Sequence, residues 1–302
     1  MFHVEHNQIS SPENCLICDN KAFTTVINVK DYFLTGEEFA IYKCSECGLL
    51  ITRPMPELSK LGSYYASENY ISHSDEQKDL LSKVYHFVRN YTHKRKYKLL
   101  KKYSSGNSVL DIGCATGEFL HYCASQGMKT TGVEPNDKAR LVAQSRFKLE
   151  VATEPEIESL ETESFDLITM WHVLEHVPDL NHRMQDIYRL LKKDGFAFIA
   201  LPNHASYDAS FYYRFWAAWD VPRHLYHFDR KSLSALATKH GFEVVSALPM
   251  LFDSYYVSLL SEKYMKGKQS YFKAFLRGFV SNSKARTGTG EYSSLIYVLR
   301  KI

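Results

Sequence analysis

Four of the six cysteines in this 302-residue chain form two Cys-x-x-Cys pairs, a spacing that suits metal binding. The pairs are Cys15 with Cys18 and Cys44 with Cys47. Four thiolates can close a tetrahedral zinc site, and a site filled by four protein ligands is structural. Disulfides or an iron–sulfur cluster are the alternatives for these sulfur atoms. The spacing predicts a structural zinc site with all four cysteines as ligands.

A β-hairpin is expected between the two cysteine pairs. Residues 22–29 and 38–42 carry the β-branched and aromatic residues of short strands, with a turn at Gly36. The gap between the pairs is longer than usual for a zinc ribbon, but a hairpin can fill it. The two remaining cysteines, Cys114 and Cys123, are expected to be ordinary buried thiols.

A turn of small residues separates a candidate buried strand from a candidate helix. Gly113, Ala115 and Gly117 in this turn would let a ligand approach the backbone closely. A dinucleotide fingerprint needs its third glycine where Glu118 stands, and Asp111 would repel a pyrophosphate. An acid before the turn favours a cationic ligand instead. S-adenosylmethionine, which carries an ammonium and a sulfonium, fits this charge pattern.

Other titratable side chains follow the later strands. Glu134 ends the next candidate strand, where a carboxylate can accept hydrogen bonds from a ribose diol. His176, His224 and His227 could act as general bases, because an imidazole can take up a proton near neutral pH. For His224 the alternative is a structural histidine bonded to the backbone.

The pattern of strands and helices predicts the scaffold that holds these residues. Candidate strands lie at residues 108–112, 130–134, 149–152, 165–171, 196–201, 242–248 and 293–299. Candidate helices lie between them at residues 117–125, 137–145, 180–191 and 231–240. Such alternation predicts an α/β fold, a Rossmann-like doubly wound and mainly parallel seven-stranded sheet. A small zinc-ribbon-like module would precede it.

Two further segments complete the predicted organisation. Apolar residues recur at helical spacing through residues 75–103. Residues 258–289 carry seven lysines and arginines against the single acid Glu262, and this basic stretch could be a cap over an acceptor site or a solvated helical hairpin. We therefore expect a zinc-binding module at residues 1–55, a tyrosine-rich linker or lid at 56–74 and a catalytic domain at 75–302.

Composition excludes several classes of protein. The net charge of +3 is slight for this length and gives no general case for nucleic-acid binding. Forty-five per cent apolar residues indicate a well-filled core. No secretory signal and no membrane-spanning apolar run is visible. We expect the cytoplasm as the location, where thiols stay reduced.

Four motifs in order resemble those of class I S-adenosylmethionine-dependent methyltransferases. They lie at residues 111–117, 132–135, 165–179 and 191–203. The resemblance implies that the 113–117 loop passes under the methionine moiety, with Glu134 and Pro135 at the ribose. It places Glu154 near the adenine, and Trp171 and His172 beside the sulfonium. The linker would fold over the cofactor as a lid that carries Tyr70.

The N-terminal cysteines and a later segment resemble bacterial methyltransferases that act on sugars. Residues 219–228 are similar to the stretch where sugar C-methyltransferases carry their base, which implies His224 in that role. A second resemblance offers a metal alternative. His172, Glu175, His176 and His224 or His227 resemble the magnesium cluster of small-RNA 2′-O-methyltransferases, although that family has a carboxylate where this chain has His172.

These features predict an enzyme that methylates oxygen or carbon of a small molecule, a sugar or glycan precursor. A nucleotide-linked or lipid-linked sugar would suit the basic stretch, and peripheral contact with a membrane is a further expectation. An RNA methyltransferase that grips its substrate with the zinc module is the closest alternative. Residues 11–52 carry only three lysines and no basic stripe, which weighs against nucleic acid. A non-catalytic methyltransferase fold is the third interpretation.

Overall fold

The computed structural model describes residues 12–65 and 80–302, with the backbone alone described at residue 58 and residues 80–87. The N-terminal part forms a small antiparallel sheet. Its strands are β1 (Phe23–Lys30), β2 (Glu38–Cys44) and β3 (Leu50–Arg53). The short helix α1 (Leu58–Leu61) follows. The predicted hairpin between the cysteine pairs is therefore present, with β1 and β2 antiparallel.

The rest of the chain builds a seven-stranded sheet with helices on both faces. Its strands are β4 (Ser108–Ile112), β5 (Lys129–Val133), β6 (Val151–Ala152), β7 (Phe165–Trp171), β8 (Leu191–Pro202), β10 (Phe242–Pro249) and β11 (Ser294–Lys301). The strand order is β10-β11-β8-β7-β4-β5-β6. β4 to β8 are parallel, whereas β11 is antiparallel to both its neighbours. The Rossmann-like, mainly parallel sheet predicted from the sequence is confirmed.

The helices of this part alternate with the strands. They are α2 (Leu80–Tyr103), α3 (Glu118–Ser125), α4 (Asp137–Phe147), α5 (Leu180–Leu190), α6 (Tyr207–Tyr212), α7 (Arg230–Lys239), α8 (Asp253–Lys266) and α9 (Tyr271–Lys284). Side chains cap several N-termini. Asn136 accepts from the Ala139 N–H, Asp179 from the His182 N–H, and Asp229 forms a capping box with Ser232.

Alternate residues of the central strands feed two hydrophobic cores, one on each face of the sheet. Leu110 and Ile168 pack with α5 and α7 in one core. Val109 and Leu167 pack with α3 in the other. The period of two along each strand produces this division, and it accounts for the almost continuous apolar sequence of β4 and β7.

β8 begins at Leu191, before the predicted start at residue 196. Leu191, predicted as the last residue of a helix, instead pairs with Phe165, and the register shifts before pairing resumes at Phe196. Lys192 lies in this irregular part and its ammonium is 2.8 Å from Asp166 Oδ1. A local ion pair at the edge of the sheet therefore holds a sequence that has no strand-like pattern.

Two strands, β3 and β9 (Tyr226–His227), were not predicted, and their pairing joins the two parts of the molecule. β9 becomes the fourth strand of the small sheet. The side chain of Thr52 in β3 strengthens this junction by donating to the His224 carbonyl at 2.7 Å. The domain boundaries at residues 55 and 75 stay a prediction. A strand from the large part completes the N-terminal sheet, so that sheet contains residues from both sides of these boundaries.

A buried ion pair also connects the two parts. Arg223 Nη2 lies 2.8 Å from Asp31 Oδ1 and 2.7 Å from Asp220 Oδ1. Asp31 in turn accepts from the backbone N–H groups of residues 33–35, which closes the hairpin turn. The loop that carries His224 is thus held between the N-terminal hairpin and the large sheet.

No helix among the described residues is long and apolar enough to cross a bilayer.

Candidate functional site

The four predicted zinc ligands lie together. Cys15 Sγ is 3.4 Å from Cys47 Sγ, and Cys18 Sγ is 3.5 Å from Cys44 Sγ. All four sulfur atoms lie within 4.8 Å of one another. Zinc–sulfur bonds of about 2.3 Å in a tetrahedron separate the sulfurs by about 3.8 Å, so this thiol set fits zinc.

Backbone turns hold the cysteines in this arrangement. The Cys15 N–H donates to the Asn20 carbonyl at 2.8 Å, and the Gly48 N–H donates to the Cys44 carbonyl at 3.1 Å. Gly48 has φ +83°, which only glycine adopts readily. Cys15, Cys44 and Cys47 are buried, so a metal held here would be shielded from solvent.

The small residues of the turn after β4 are required by its backbone. Gly113 has φ +75° and Gly117 has φ +82°, and Ala115 adopts a positive φ of 50°. A Cβ atom at Gly113 would lie 2.4 Å from Val173 Cγ2. The turn therefore lies tightly against the segment after β7.

Asp111 is a buried acid next to this turn. Its Oδ1 accepts from the Thr169 hydroxyl at 2.5 Å. Burial raises the pKa of Asp111 to about 7, although the Thr169 hydrogen bond and the charge of Lys96 oppose the rise. A cation bound nearby would favour the ionised carboxylate, because a carboxylate in a low-dielectric site attracts positive charge strongly.

Lys96 is a cation at this site that the sequence did not reveal. It lies on α2, and its Nζ is 4.0 Å from the centroid of the Trp171 ring. Burial lowers the pKa of Lys96 to about 8, while the charges of Asp111 and Asp253 oppose that shift. Helical periodicity placed α2 but gave no indication of which of its many basic residues faces the sheet.

Glu134 lies beside the turn, as its position at the end of β5 predicted. Its Oε2 accepts from the Ala115 N–H at 2.9 Å, and its Oε1 accepts from the Asn136 N–H at 2.8 Å. Burial raises the pKa of Glu134, and the two backbone hydrogen bonds oppose that rise. The carboxylate is therefore fixed against the small-residue turn, and the adjoining Pro135 is exposed.

The end of β7 presents Trp171 and His172. The Trp171 ring packs edge-on against Phe119, with centroids 5.5 Å apart. Within the part of the chain that the structure describes, nothing accepts a hydrogen bond from its buried Nε1. An N–H group in that state is costly unless a ligand satisfies it, so Trp171 fits the edge of a binding site.

His172 is held between two carboxylates. Its Nε2 is 2.9 Å from Asp253 Oδ2, and its Nδ1 is 3.4 Å from Glu175 Oε1. Burial alone would lower the pKa of His172, but its hydrogen bonds to the Asp253 and Glu175 carboxylates outweigh burial and raise the pKa to about 10. The ring is therefore charged at neutral pH and serves poorly as a base.

Two of the predicted cofactor residues are less clearly placed. Glu154 is half-exposed, and its carboxylate forms an ion pair with Arg183 of α5. Its role at the adenine stays a prediction. Tyr70 lies outside the described residues.

His224 and His176 form a pair of imidazoles near Glu175. Their ring centroids are 4.6 Å apart and the rings meet edge to face. His224 Nδ1 lies 2.9 Å from the Ala218 carbonyl, and His176 Nδ1 lies 3.0 Å from the Arg223 carbonyl. A carbonyl can only accept, so the bond to Ala218 places the proton of neutral His224 on Nδ1 and leaves a free lone pair on Nε2. His176 Nδ1 also lies 3.0 Å from the Tyr65 hydroxyl, which can donate or accept.

The environments of the two rings differ. Burial, with a smaller contribution from the nearby His224, lowers the pKa of His176 to about 4. His224 Nε2 lies 4.0 Å from both Glu175 Oε1 and Asp220 Oδ2. The two carboxylates can stabilise a positive charge on His224 once it has taken up a proton.

His227 has a different setting. Its Nε2 is 2.9 Å from Thr52 Oγ1, whose own proton goes to the His224 carbonyl. His227 is buried, and burial holds its pKa well below the usual value. Its hydrogen bond joins β9 to β3, so the geometry supports a structural role more than proton transfer.

Glu175, His176 and His224 also form a group that could hold a cation, since one ligand atom from each lies within 4.8 Å of the others. His172 contacts Glu175 but stands where a second carboxylate would be needed for a hard cation. The residues proposed for a magnesium site therefore lie close together, but they do not offer the oxygen ligands that magnesium prefers.

Three features lie at the carboxyl edge of the sheet. They are the glycine turn after β4, the buried Asp111 before that turn, and the Glu134 carboxylate that follows β5. Together with the antiparallel β11, they define the class I methyltransferase version of the Rossmann-like fold. Glu118, where a dinucleotide site needs a glycine, lies in the first turn of α3 with Arg89 Nη1 at 3.7 Å from its carboxylate.

Comparison with known proteins agrees with this class. The methyltransferase-domain family matches residues 84–247, just over half of the chain, and the chain belongs to that family.

Curated relatives match over shorter stretches. One is the ubiquinone biosynthesis O-methyltransferase of Glaesserella parasuis serovar 5, 34% identical over 112 residues, which are 33% of this chain and 48% of the relative. The mitochondrial ubiquinone biosynthesis O-methyltransferase of Bos taurus is 27% identical over 167 residues, 50% of this chain and 45% of the relative. The chain thus spans about half the length of these relatives.

Solved structures share the fold. A methyltransferase of Thermotoga maritima, described as a possible histamine N-methyltransferase, has a TM-score of 0.53 at 19% identity and covers 80% of this chain and all of its own. Phosphoethanolamine N-methyltransferase 2 of Haemonchus contortus, in complex with S-adenosyl-L-methionine, has a TM-score of 0.53 at 17% identity. The match covers 93% of this chain and 68% of the Haemonchus chain. At such identities the likeness shows the fold alone.

Proposed function

We propose that this chain transfers the methyl group of S-adenosylmethionine to an oxygen or carbon atom of a small molecule, a sugar or glycan precursor. One observation supports the proposal most: a series of short contacts connects the cofactor side to the histidines. Asp111 bonds to Thr169 on β7, and His172 at the end of that strand contacts Glu175. Glu175 in turn lies 4.0 Å from His224. Donor and base would thus meet at one edge of the sheet.

The cofactor residues are assigned by their chemistry. When bound, S-adenosylmethionine supplies a methyl group already activated by the sulfonium. Asp111 would attract the positive charge of the donor, and Glu134 would accept from the ribose hydroxyls. Gly113 and Gly117 would provide the tight turn that presents its backbone to the ligand. The protein's main contribution to such a transfer is alignment and exclusion of water.

His224 is the proposed base. The Ala218 carbonyl holds its Nδ1 proton, which leaves Nε2 to take the proton of the acceptor group. Glu175 and Asp220 would then stabilise the imidazolium. His176, kept neutral by its lowered pKa, packs against His224 and orients it. His176 and His227 stay as the other predicted bases.

The acceptor class rests on coarser support. The curated relatives are named O-methyltransferases, which supports oxygen as the methylated atom and a small molecule as the acceptor. The cysteine module and the His224 segment resemble those of sugar methyltransferases, and this supports a sugar. Zinc would be structural here, because four cysteines leave no coordination position for a substrate.

The RNA alternative has less support. Residues 11–52 contain six acidic residues and three lysines, so the module presents no electrostatic footprint for a phosphate backbone.

Two measurements test the proposal. S-adenosylmethionine and its demethylated product should raise the melting temperature of the protein, while NAD should not. Radiolabelled donor should then transfer label to a member of a panel of nucleotide sugars and lipid-linked glycans. If NAD stabilised the protein and the sulfonium compound did not, the cofactor assignment would be rejected. Transfer to RNA alone would reject the acceptor class.

A further inference from the structure

The surface of α9 has an apolar stripe that faces away from the protein. Phe272 is 78% exposed, Phe275 62% and Phe279 54%. Tyr271 and Leu276 are exposed as well. Because these five positions follow three- and four-residue spacing, they lie on one side of the helix. Single exposed apolar residues are ordinary, but a contiguous aromatic stripe indicates an interaction surface.

The opposite side of α9 is anchored to the protein. Ala274, Gly278 and Ser281 are its buried residues. A Cβ atom at Gly278 would lie 2.7 Å from the ring of Tyr255 on α8, so the two helices are in close contact. The helix is therefore held in place by one side while the aromatic stripe on another side remains exposed.

Cations flank the aromatic stripe. Lys273 is exposed on α9, and Lys268 is exposed in the turn before it. Arg277 packs over the ring of Phe211 and Lys284 over the ring of Tyr207, each at 3.9 Å. The acid within residues 258–289, Glu262, is buried and its Oε2 is 2.9 Å from Lys266 Nζ. Nothing acidic in this stretch offsets the exposed positive charge.

We propose that α9 docks on the surface of an anionic lipid bilayer. The phenylalanines would enter the boundary between headgroups and acyl chains, and the flanking cations would contact the anionic headgroups. An amphipathic helix with aromatic residues on one side and lysines beside them has the composition of an interfacial helix. The charge complementarity favours a lipid surface over a second copy of this chain, whose α9 would carry the same positive charge.

The proposal goes beyond the methyl-transfer function, because lipid binding requires neither donor nor acceptor. It also has a geometric consequence for the site. α8 is packed against α9 and begins at Asp253, whose carboxylate contacts His172. Docking of the α8–α9 hairpin would therefore bring the carboxyl edge of the sheet close to the bilayer, where a lipid-linked acceptor could reach it.

Vesicle flotation tests the proposal with the full chain. The protein should float with vesicles made of equal parts phosphatidylcholine and phosphatidylglycerol, and remain in solution with phosphatidylcholine alone. Phe272→Ser and Phe275→Ser should each weaken partitioning by about tenfold. Lys273→Glu should weaken it by about fivefold or more, and added salt should act in the same direction.

Leu141→Ser is the matched control, because Leu141 on α4 is 61% exposed and lies outside this surface. It should float like the parent. Circular dichroism melts check that every variant is folded. We expect all of them to fold, because the substituted positions are exposed. Phe272→Trp adds a direct probe: its fluorescence should shift to the blue with anionic vesicles and be quenched by brominated acyl chains.

Absence of the parent protein from anionic vesicles would overturn the proposal, as would equal flotation of the parent and the Phe272→Ser variant. A third contrary result is self-association. If light scattering showed a dimer that Phe275→Ser dissolves, with no vesicle binding, the surface would join two copies of the chain. None of these results depends on methyl transfer, so failure here is distinguishable from failure of the proposed activity.

Discussion

The imidazole rings of His176 and His224 meet edge to face, with centroids 4.6 Å apart, and each Nδ1 is bound to a backbone carbonyl. The bond to the Ala218 carbonyl fixes the tautomer of neutral His224 before any substrate binds. Because the two rings are so close, a proton on one opposes a proton on the other, and the lowered pKa of His176 reflects this together with its burial. Glu175 Oε1 and Asp220 Oδ2 each lie 4.0 Å from His224 Nε2.

Replacing His224 tests its role as base. We expect His224→Asn to lower kcat by about 10²–10⁴ while the donor affinity stays unchanged. The asparagine side chain can still donate to a carbonyl but cannot accept a proton. Radiolabel transfer gives kcat and calorimetry gives the donor Kd. His182, half-exposed on α5, provides the matched control: His182→Asn should turn over normally. A kcat for His224→Asn within twofold of the parent would remove His224 from the mechanism.

The raised pKa of Asp111 predicts that donor binding depends on pH. In the free protein, burial holds the pKa at about 7, so the carboxyl is mostly protonated below that pH. A cationic donor favours the ionised form and lowers this pKa, so binding releases a proton at acidic pH. Affinity should therefore fall as pH drops through 7 and level off above about 8. Calorimetry in buffers of different ionisation enthalpy measures both the affinity and the protons released.

Asp111→Asn is the control for this titration. The amide keeps the shape of the side chain but has no charge, so donor affinity should fall and its pH dependence should flatten. The same substitution should stabilise the free protein most above pH 7. Asp111 has a raised pKa when folded, so its contribution to the free energy of unfolding is greatest at low pH and is lost as pH rises toward that pKa. An unchanged pH profile in the variant would contradict the assignment.

Local pattern was enough to predict the scaffold. The positions of β4, β5 and β7 followed from the alternation of strand and helix patterns, and the turn between β4 and α3 from its small residues. The closing of the cysteine module followed from the spacing of its four thiols. Each of these signals lies within a few neighbouring residues, so a single sequence displays it.

The features that the sequence did not reveal depend on pairs far apart in the chain. β9 has two residues and becomes a strand because β3 lies beside it. Lys96 on α2 lies over the ring of Trp171 on β7, a contact that no motif records. Arg223 meets Asp31 across the junction of the two parts. Length, periodicity and turn residues carry no information on such partners, because the two members of each pair are far apart in the chain.

The cysteine cluster predicts a structural zinc ion. The purified protein should contain one zinc per chain, and its removal should lower the melting temperature, because the buried cysteines belong to a hydrophobic core. β3 pairs with β9 beside His224, so zinc loss should also lower kcat. Elemental analysis and a thermal melt measure these effects. Cys15→Ser should lose zinc, whereas Cys123→Ser, at a buried cysteine outside the module, should keep it. A stable, metal-free protein would reject the site.

The buried Asp31–Arg223 ion pair should contribute strongly to stability. Arg223→Met leaves Asp31 buried without its partner, so the free energy of unfolding should fall by about 3–5 kcal/mol. Adding Asp31→Asn should recover part of that loss, since the unpaired charge is then gone. The control is Arg300→Met. Arg300 pairs with Glu243, and the two side chains are 51% and 48% exposed. The free energy of unfolding should therefore fall by under about 1 kcal/mol. Urea unfolding measures each variant, and equal losses for the two arginines would contradict the argument.

Turnover should not require magnesium, although Glu175, His176 and His224 could surround a cation. Magnesium prefers oxygen ligands in an octahedron and keeps several waters. Here two of the three ligands are imidazoles, and Glu175 is buried with His172 beside one of its oxygens. We therefore expect kcat to stay within about twofold when magnesium is omitted, in protein whose zinc content is verified, since preorganised protein groups supply the alignment. Restoration of activity by added magnesium, abolished in Glu175→Gln, would instead establish a catalytic metal and reassign His224 from base to ligand.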